Sequence, residues 1–313
     1  MIKNRWLKFF IIIILSLFLI INVFLALQAY SLTHFVEKQT SGSNLKLDFK
    51  TLIKGIDIPK PSSDILPEKS YEVKKIKLGK DKFLEAWLLS PEKKSKGIIL
   101  LFHGFRAEKS TMLDRAYVYE DLGYSVLLVD FNGAGNSSGN QCTIGYKEAE
   151  NVRQAYEYAR NDLNEENIFL AGFSMGAAAI IKAQHDYHLN VKGIILEAPY
   201  GKMIDAVKVR MKIPYVGKTL SYLVTFWGGV VNGFNAFEMN PDEYAKKIEI
   251  PVLFLYGGRD PRIPVNESER IYTNFKSKDK TSMLFPLSYH QSYLNKYPEK
   301  WKKVNKQFLN SKN

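Results

Sequence analysis

The sequence is poor in the residues that staple a fold or bind metal. Its 313 residues include one cysteine, Cys142, and five histidines. A lone thiol closes no intramolecular disulfide, so stability must come from a hydrophobic core, and a chain of this length has enough residues to bury one. Cys142 follows Asn140-Gln141 with no histidine beside it and reads as structural. No grouping of histidine, cysteine and carboxylate has metal-ligand spacing, so no metal is expected, nor any other cofactor. Internal repeats and low-complexity tracts are missing too. The stretch Gly133-Ala134-Gly135-Asn136-Ser137-Ser138-Gly139 lacks the Gly-Lys-Ser/Thr ending of a P-loop, and its spacing does not fit a dinucleotide fingerprint. The net charge of +12 comes from lysines scattered among acids, not from one patch interleaved with aromatics, which argues against a nucleic-acid partner.

A long hydrophobic run is present at the N-terminus. Lys3, Arg5 and Lys8 precede Phe9 to Ala29, an almost wholly apolar segment. About 20 helical residues cross the ~30 Å hydrocarbon core of a bilayer. Basic residues ahead of the run favour a cytoplasmic N-terminus, with the remainder of the chain on the outer side of the membrane. A cleaved signal peptide is the rival reading, but its apolar core is usually shorter and no Ala-x-Ala site follows. We therefore expect a retained single-pass signal anchor over residues 1–30. A linker and lead-in over 31–70 includes the loop Pro61-Ser62-Ser63-Asp64, and the folded domain occupies 71–313.

Within that domain, short apolar runs alternate with helical patterns. Gly97–Phe102, Ile168–Ala171, Gly193–Leu196, Pro251–Tyr256 and Ser282–Phe285 read as strands. The segment Tyr146–Asn161 carries Val152, Ala155, Tyr156 and Ala159 at helical spacing. The pattern predicts an α/β fold with a mostly parallel central sheet and helices on both faces.

One turn stands out. Gly172-Phe173-Ser174-Met175-Gly176 follows a strand and precedes the small-residue helix start Ala177-Ala178-Ala179. Gly-x-Ser-x-Gly in that context reads as a nucleophile elbow, which lifts the serine hydroxyl clear of the sheet. A plain glycine-rich turn would need no serine at its centre. A serine hydroxyl needs a base, and His290 follows the strand candidate ending at Phe285. Asp260, at the end of Pro251–Tyr256, is the candidate acid that orients the imidazole. Each type alone is more often a cap or a loop brace; together they follow the chain order nucleophile, acid, histidine. Glu197, at the end of another strand, is the competing acid. Glu267 and Glu269 fall in a helix, and His34, His185 and His188 are poorly placed as bases. The strand ending at Phe102 leads into His103-Gly104-Phe105, so the backbone N–H groups of Phe105 and Met175 are the candidate oxyanion hole. His103 itself is expected to brace the loop.

These motifs resemble the α/β-hydrolase superfamily, within it the serine aminopeptidase/lysophospholipase-like branch and its membrane-anchored bacterial hydrolases. The similarity runs from about Tyr71 to the C-terminus and includes Asp130 to Gly139, the counterpart of a family loop written Asp-x-Arg-Gly-x-Gly-x-Ser-x-Gly. Asn132 stands where the family has arginine and Ala134 where many members have histidine, so no substrate contact is inferred there. The resemblance implies an α/β-hydrolase fold with a small helical cap, here at about 200–248, containing the neutral run Leu220–Val231. That run is either a lid over an acyl pocket or a helix packing on the core. The expected activity is hydrolysis of carboxylic esters through an acyl-enzyme, with lysophospholipids or other acyl esters as substrates. A peptidase or amidase is the alternative, and a non-catalytic membrane-tethered binding module the third reading. The oligomeric state is left open.

Overall fold

The computed structural model describes residues 2–37, 55–211 and 213–312, with side chains from Arg5 onward. Residues 38–54 of the expected linker lie outside the described residues. The chain opens with a helix, α1 (Ile2–Thr33). Then come β1 (Tyr71–Lys77), β2 (Phe83–Leu89), β3 (Ile98–Phe102), α2 (Leu113–Asp121), β4 (Ser125–Val129), α3 (Glu148–Asn161), β5 (Ile168–Phe173), α4 (Met175–Tyr187) and β6 (Gly193–Glu197). Four helices follow, with one strand among them: α5 (Met203–Arg210), α6 (Gly217–Asn232), α7 (Pro241–Tyr244), β7 (Val252–Gly257) and α8 (Val265–Asn274). The chain finishes with β8 (Lys280–Phe285), α9 (Tyr293–Lys296) and α10 (Pro298–Asn310).

The eight strands form one sheet in the order β1-β2-β4-β3-β5-β6-β7-β8. From β4 to β8 all pairs are parallel, while β2 runs antiparallel to both of its neighbours. The runs read as strands become central because they are apolar on both faces. Ile98, Leu100 and Phe102 enter one core, and Ile99 and Leu101 enter the other. Val152 and Ala155 of α3 and Ile180 of α4 cover the first face, and Tyr119 of α2 with Trp301 and Phe308 of α10 cover the second. Each of the valine, leucine, isoleucine and phenylalanine side chains contributes about 1.5–3 kcal/mol when fully buried. The antiparallel pair β1–β2 was not among the strands read from the sequence. Its outer strand carries Lys74, Lys75 and Lys77, charges that discourage another chain from adding to the edge.

Between β6 and β7 the chain leaves the sheet to form α5, α6 and α7, the helical cap expected from the resemblance. In α6 only Lys218 is charged. α1 has two parts. Arg5–Ile21 is exposed all round, whereas Leu25, Ala29 and Thr33 form a buried stripe at four-residue spacing. Side chains tie that stripe to α6: Trp227 donates to Asn22 at 2.9 Å, and Asn232 donates to Thr33 at 2.9 Å. Past the helix, Phe35 N–H donates to Asn140 O at 2.7 Å and Cys142 N–H to Thr33 O at 2.8 Å. Phe35 is buried with its ring 6.4 Å from that of Phe105. The end of α1 is thus fixed to the cap on one side and to loops at the sheet's carboxyl edge on the other.

Candidate active site

Ser174 stands between β5 and α4 with φ 53° and ψ −111°, a left-handed conformation that costs a non-glycine residue strain. Several contacts hold it. Its N–H donates to Glu197 O at 2.7 Å, and Ala178 N–H donates back to Ser174 O at 3.0 Å. The flanking glycines are required by crowding. A Cβ on Gly176 would lie 2.3 Å from Phe102 O, and one on Gly172 would lie 2.7 Å from the Gly176 carbonyl carbon. Those approaches seat α4 directly on the ends of β3 and β5.

The structure brings the three expected side chains together. Ser174 Oγ lies 2.8 Å from His290 Nε2, and His290 Nδ1 lies 2.6 Å from Asp260 Oδ2. The side chains of His290 and Asp260 are 4% and 1% exposed. Asp260 Oδ1 accepts from the N–H groups of Arg262 (2.8 Å) and Ile263 (3.0 Å), which aims its other oxygen at the imidazole. With Nδ1–H donating to the carboxylate, Nε2 presents its lone pair to the serine hydroxyl.

Glu197, the competing acid, is engaged elsewhere. Arg115 grips it through Nη2 to Oε2 at 2.7 Å and Nε to Oε1 at 3.1 Å, and Trp301 Nε1 adds 2.8 Å to Oε1. Its backbone carbonyl holds the elbow while its side chain knits the sheet to α2 and α10.

The two oxyanion candidates lie on either side of Ser174 in the chain's fold. Met175 opens α4, so its N–H has no acceptor within the helix. Gly104 passes beside the nucleophile, since a Cβ there would lie 3.6 Å from Ser174 Cβ. Phe105 follows and shares a cavity wall with Ser174 and Met175. His103 is buried and braces this loop. Its Nε2 accepts from Phe131 N–H at 3.1 Å and its Nδ1 donates to Gly104 O at 2.9 Å. Burial outweighs the attraction of Asp130 and lowers its pKa, which keeps the ring neutral.

The glycine-rich loop is filled by its own protein. Asp130 is fully buried, pairs with Lys109 Nζ at 2.6 Å and accepts Lys109 N–H at 2.7 Å. A Cβ on Gly135 would fall 1.8 Å from Asp130 Oδ2. The loop wraps a buried ion pair and leaves no cradle for phosphate. Cys142 is buried, its thiol pKa raised by desolvation, and its Sγ lies 3.4 Å from Met175 Sδ.

A cavity of about 210 Å³ opens over Ser174. Its walls are Met203 and Val207 of α5, Val224 and Gly228 of α6, and Ala29 and Leu32 of α1. The sequence reading anticipated the cap here but not α1. The weak signal for it was polar: Asn22, Ser31 and Thr33 interrupt an otherwise greasy helix.

Similarity to known proteins agrees with this geometry. Residues 93–231 match the family model Hydrolase_4, described as serine aminopeptidase, S33. That segment contains Ser174 but ends before Asp260 and His290. The chain is 26% identical over 219 residues to the uncharacterized protein YqkD of Bacillus subtilis, covering 69% of this chain and 72% of that one. It is 22% identical over 244 residues to the lysophosphatidylserine lipase ABHD12 of Macaca fascicularis, covering 71% of this chain and 57% of that one. Among solved structures it is similar to the Pyrococcus furiosus esterase Pf2001, with TM-score 0.67 and 21% identity over 81% of this chain and 98% of that one. The chain thus has an α/β-hydrolase fold, and its residues 93–231 are similar to the serine aminopeptidase S33 family.

Proposed function

We propose that the protein is a membrane-anchored serine hydrolase that cleaves carboxylic esters through an acyl-enzyme, with lysophospholipids or other single-chain acyl esters as its substrates. The observation that carries this reading is the hydrogen-bonded line Ser174–His290–Asp260 at the floor of an apolar cavity. Ser174 Oγ attacks the ester carbonyl as its proton passes to His290 Nε2. Asp260 fixes the tautomer and stabilises the imidazolium. The amides of Phe105 and Met175 hold the oxyanion, a contribution of about 2.7–4 kcal/mol per donor. The C–O bond to the alcohol then breaks, and the alcohol leaves with the proton from Nε2. Water repeats the sequence on the acyl-enzyme, freeing the carboxylic acid and restoring Ser174.

Ester cleavage is favoured over aminopeptidase activity by the cavity's chemistry. An ammonium group would need a carboxylate, and among the described residues the lining's one charged side chain is Arg210. The lipase name of the ABHD12 relative points the same way. α1 supports the anchoring: Arg5–Thr33 has a mean hydropathy of 3.1 over its most apolar window, long enough to cross a membrane. Lys3, Arg5 and Lys8 favour a cytoplasmic N-terminus and a catalytic domain on the outer side. A fluorophosphonate probe tests the chemistry. Wild type should label and Ser174→Ala should not; a folded wild type that stays unlabelled would sink the enzyme reading.

A further inference from the structure

We infer that α1 is a wall of the acyl-binding pocket, so that the helix anchoring the protein also selects the acyl chain, which enters from the bilayer. The inference rests on the esterase reading above and goes beyond it, because an anchor need only tether.

Three observations carry it. First, α1 contributes Ala29, Leu32 and Thr33 to the lining of the cavity that holds Ser174. Second, that end of the helix is built into the domain. Asn22 and Thr33 bond to Trp227 and Asn232 of α6, and Cys142 N–H and Phe35 tie the exit to the loops around Phe105. These contacts fix the Asn22–Phe35 end of the anchor against the pocket.

Third, counting along the helix puts the cavity at the lipid boundary. About 20 residues span the hydrocarbon core, and counted from Phe9, after the last basic residue, they reach Gln28. Ala29 and Leu32 occupy the next turn. Counted from the same Phe9, the apolar part of α1 that stands clear of the domain ends at Ile21, about seven residues short of that span. The α6 region must then dip into the lipid. Its surface suits this: Tyr222, Phe226 and Val230 are 46%, 48% and 51% exposed at four-residue spacing, an apolar ridge beside α1. A single acyl chain leaving the bilayer along α1 would meet the apolar walls first and the Ser174 hydroxyl at the floor.

The test uses full-length protein in phosphatidylcholine vesicles, with p-nitrophenyl butyrate and p-nitrophenyl palmitate as probes. Leu32→Trp narrows the rim from an exposed position, and Ala29→Leu fills the wall from a buried one. Each should lower the palmitate-to-butyrate ratio of kcat/KM at least tenfold. Leu17→Trp, on the exposed part of the same helix, should keep the wild-type ratio. If Ala29→Leu fails to assemble, Leu32→Trp still decides. Unchanged ratios with fluorophosphonate labelling of Ser174 intact would overturn the wall and leave the esterase standing, whereas an unlabelled wild type would overturn the esterase itself. Entry is read separately with a spin label at Phe226→Cys, Cys142 being buried. Relaxation by oxygen supports a lipid-facing ridge, and relaxation by a water-soluble nickel complex instead would overturn bilayer entry.

Discussion

Ser174 and Ala29 line one cavity but are held there by different means. Ser174 belongs to a floor built from strand ends, where Gly172, Gly176, Glu197 and Ala178 fix it through backbone contacts and a strained turn. Ala29 belongs to a roof of helices, where side chains 199 and 205 residues apart in the chain meet across α1 and α6. The floor is rigid because it is part of the sheet's own hydrogen-bond pattern. The roof is specific because its shape is set by side-chain packing, which tolerates change. Chemistry is thereby separated from substrate choice, and the two regions should respond differently to mutation.

The largest effects belong to the floor. Ser174→Ala should reduce kcat by roughly 10⁴- to 10⁶-fold, with the thermal midpoint little changed, since the hydroxyl makes one hydrogen bond. Asp260→Asn should cost about 10⁴-fold by upsetting the imidazole tautomer. Ester turnover and thermal unfolding measured on the same preparations separate these outcomes. Retained activity in Asp260→Asn would show that another group orients His290.

Glu197→Gln sharpens the contrast inside the floor. Its side chain pairs with Arg115, the two 3% and 4% exposed, so neutralising it leaves the buried guanidinium with Asp114 as its remaining charged partner. The expected loss is stability, about 3–5 kcal/mol, with kcat of the surviving folded fraction close to wild type. A large fall in kcat with full stability would return Glu197 to the chemistry.

The sequence disclosed the floor because its demands are local. A Gly-x-Ser-x-Gly turn must follow a strand and open a helix, and Asp260 and His290 must each follow a strand of their own. The apolar runs at 97–102, 168–171 and 251–256 are short and bounded by turn residues, the look of strands buried on both faces. The roof was hidden for two physical reasons. An apolar helix facing lipid and one facing protein share a composition, so nothing in Phe9–Ala29 announces that Ala29 touches a pocket. The neutral run Leu220–Val231 fitted a lid and a core helix equally well, because periodicity reports which face is greasy and not what covers it. The pairing of Glu85 and Asp130 with Lys109 was invisible likewise, since its members are distant in the chain.

His103 probes the loop joining floor to roof. Its neutral ring holds Phe131 and Gly104, and its pKa lies below the ordinary value of about 6.5. The unfolded chain therefore binds a proton that the fold resists as pH drops. The stability carried by this ring is fully present above about pH 6.5 and declines as acid is added below it. His103→Gln keeps an acceptor for Phe131 N–H without the titration. Urea midpoints of wild type and variant should differ more in pH dependence between pH 7.5 and 5.5 than in value at pH 7.5, the wild type falling more steeply. Parallel midpoints would show that the ring charges without penalty.

The smallest expected effect tests the roof. Thr33 Oγ1 accepts from Asn232 Nδ2 and donates to Ala29 O at 2.8 Å, while the same amide also donates to Gly228 O at 2.8 Å. Thr33→Val keeps the shape and removes the hydroxyl, so one amide hydrogen loses its acceptor. Between membrane helices such a bond is worth about 0.6 kcal/mol on average, rarely above 1.7, which sets the scale expected here. Thermal unfolding in vesicles should register a small shift, and labelling of Ser174 should persist because no floor contact changes. A loss of labelling would mean that the roof governs the nucleophile itself, and the division between a rigid floor and a tunable roof would fail at this hydroxyl.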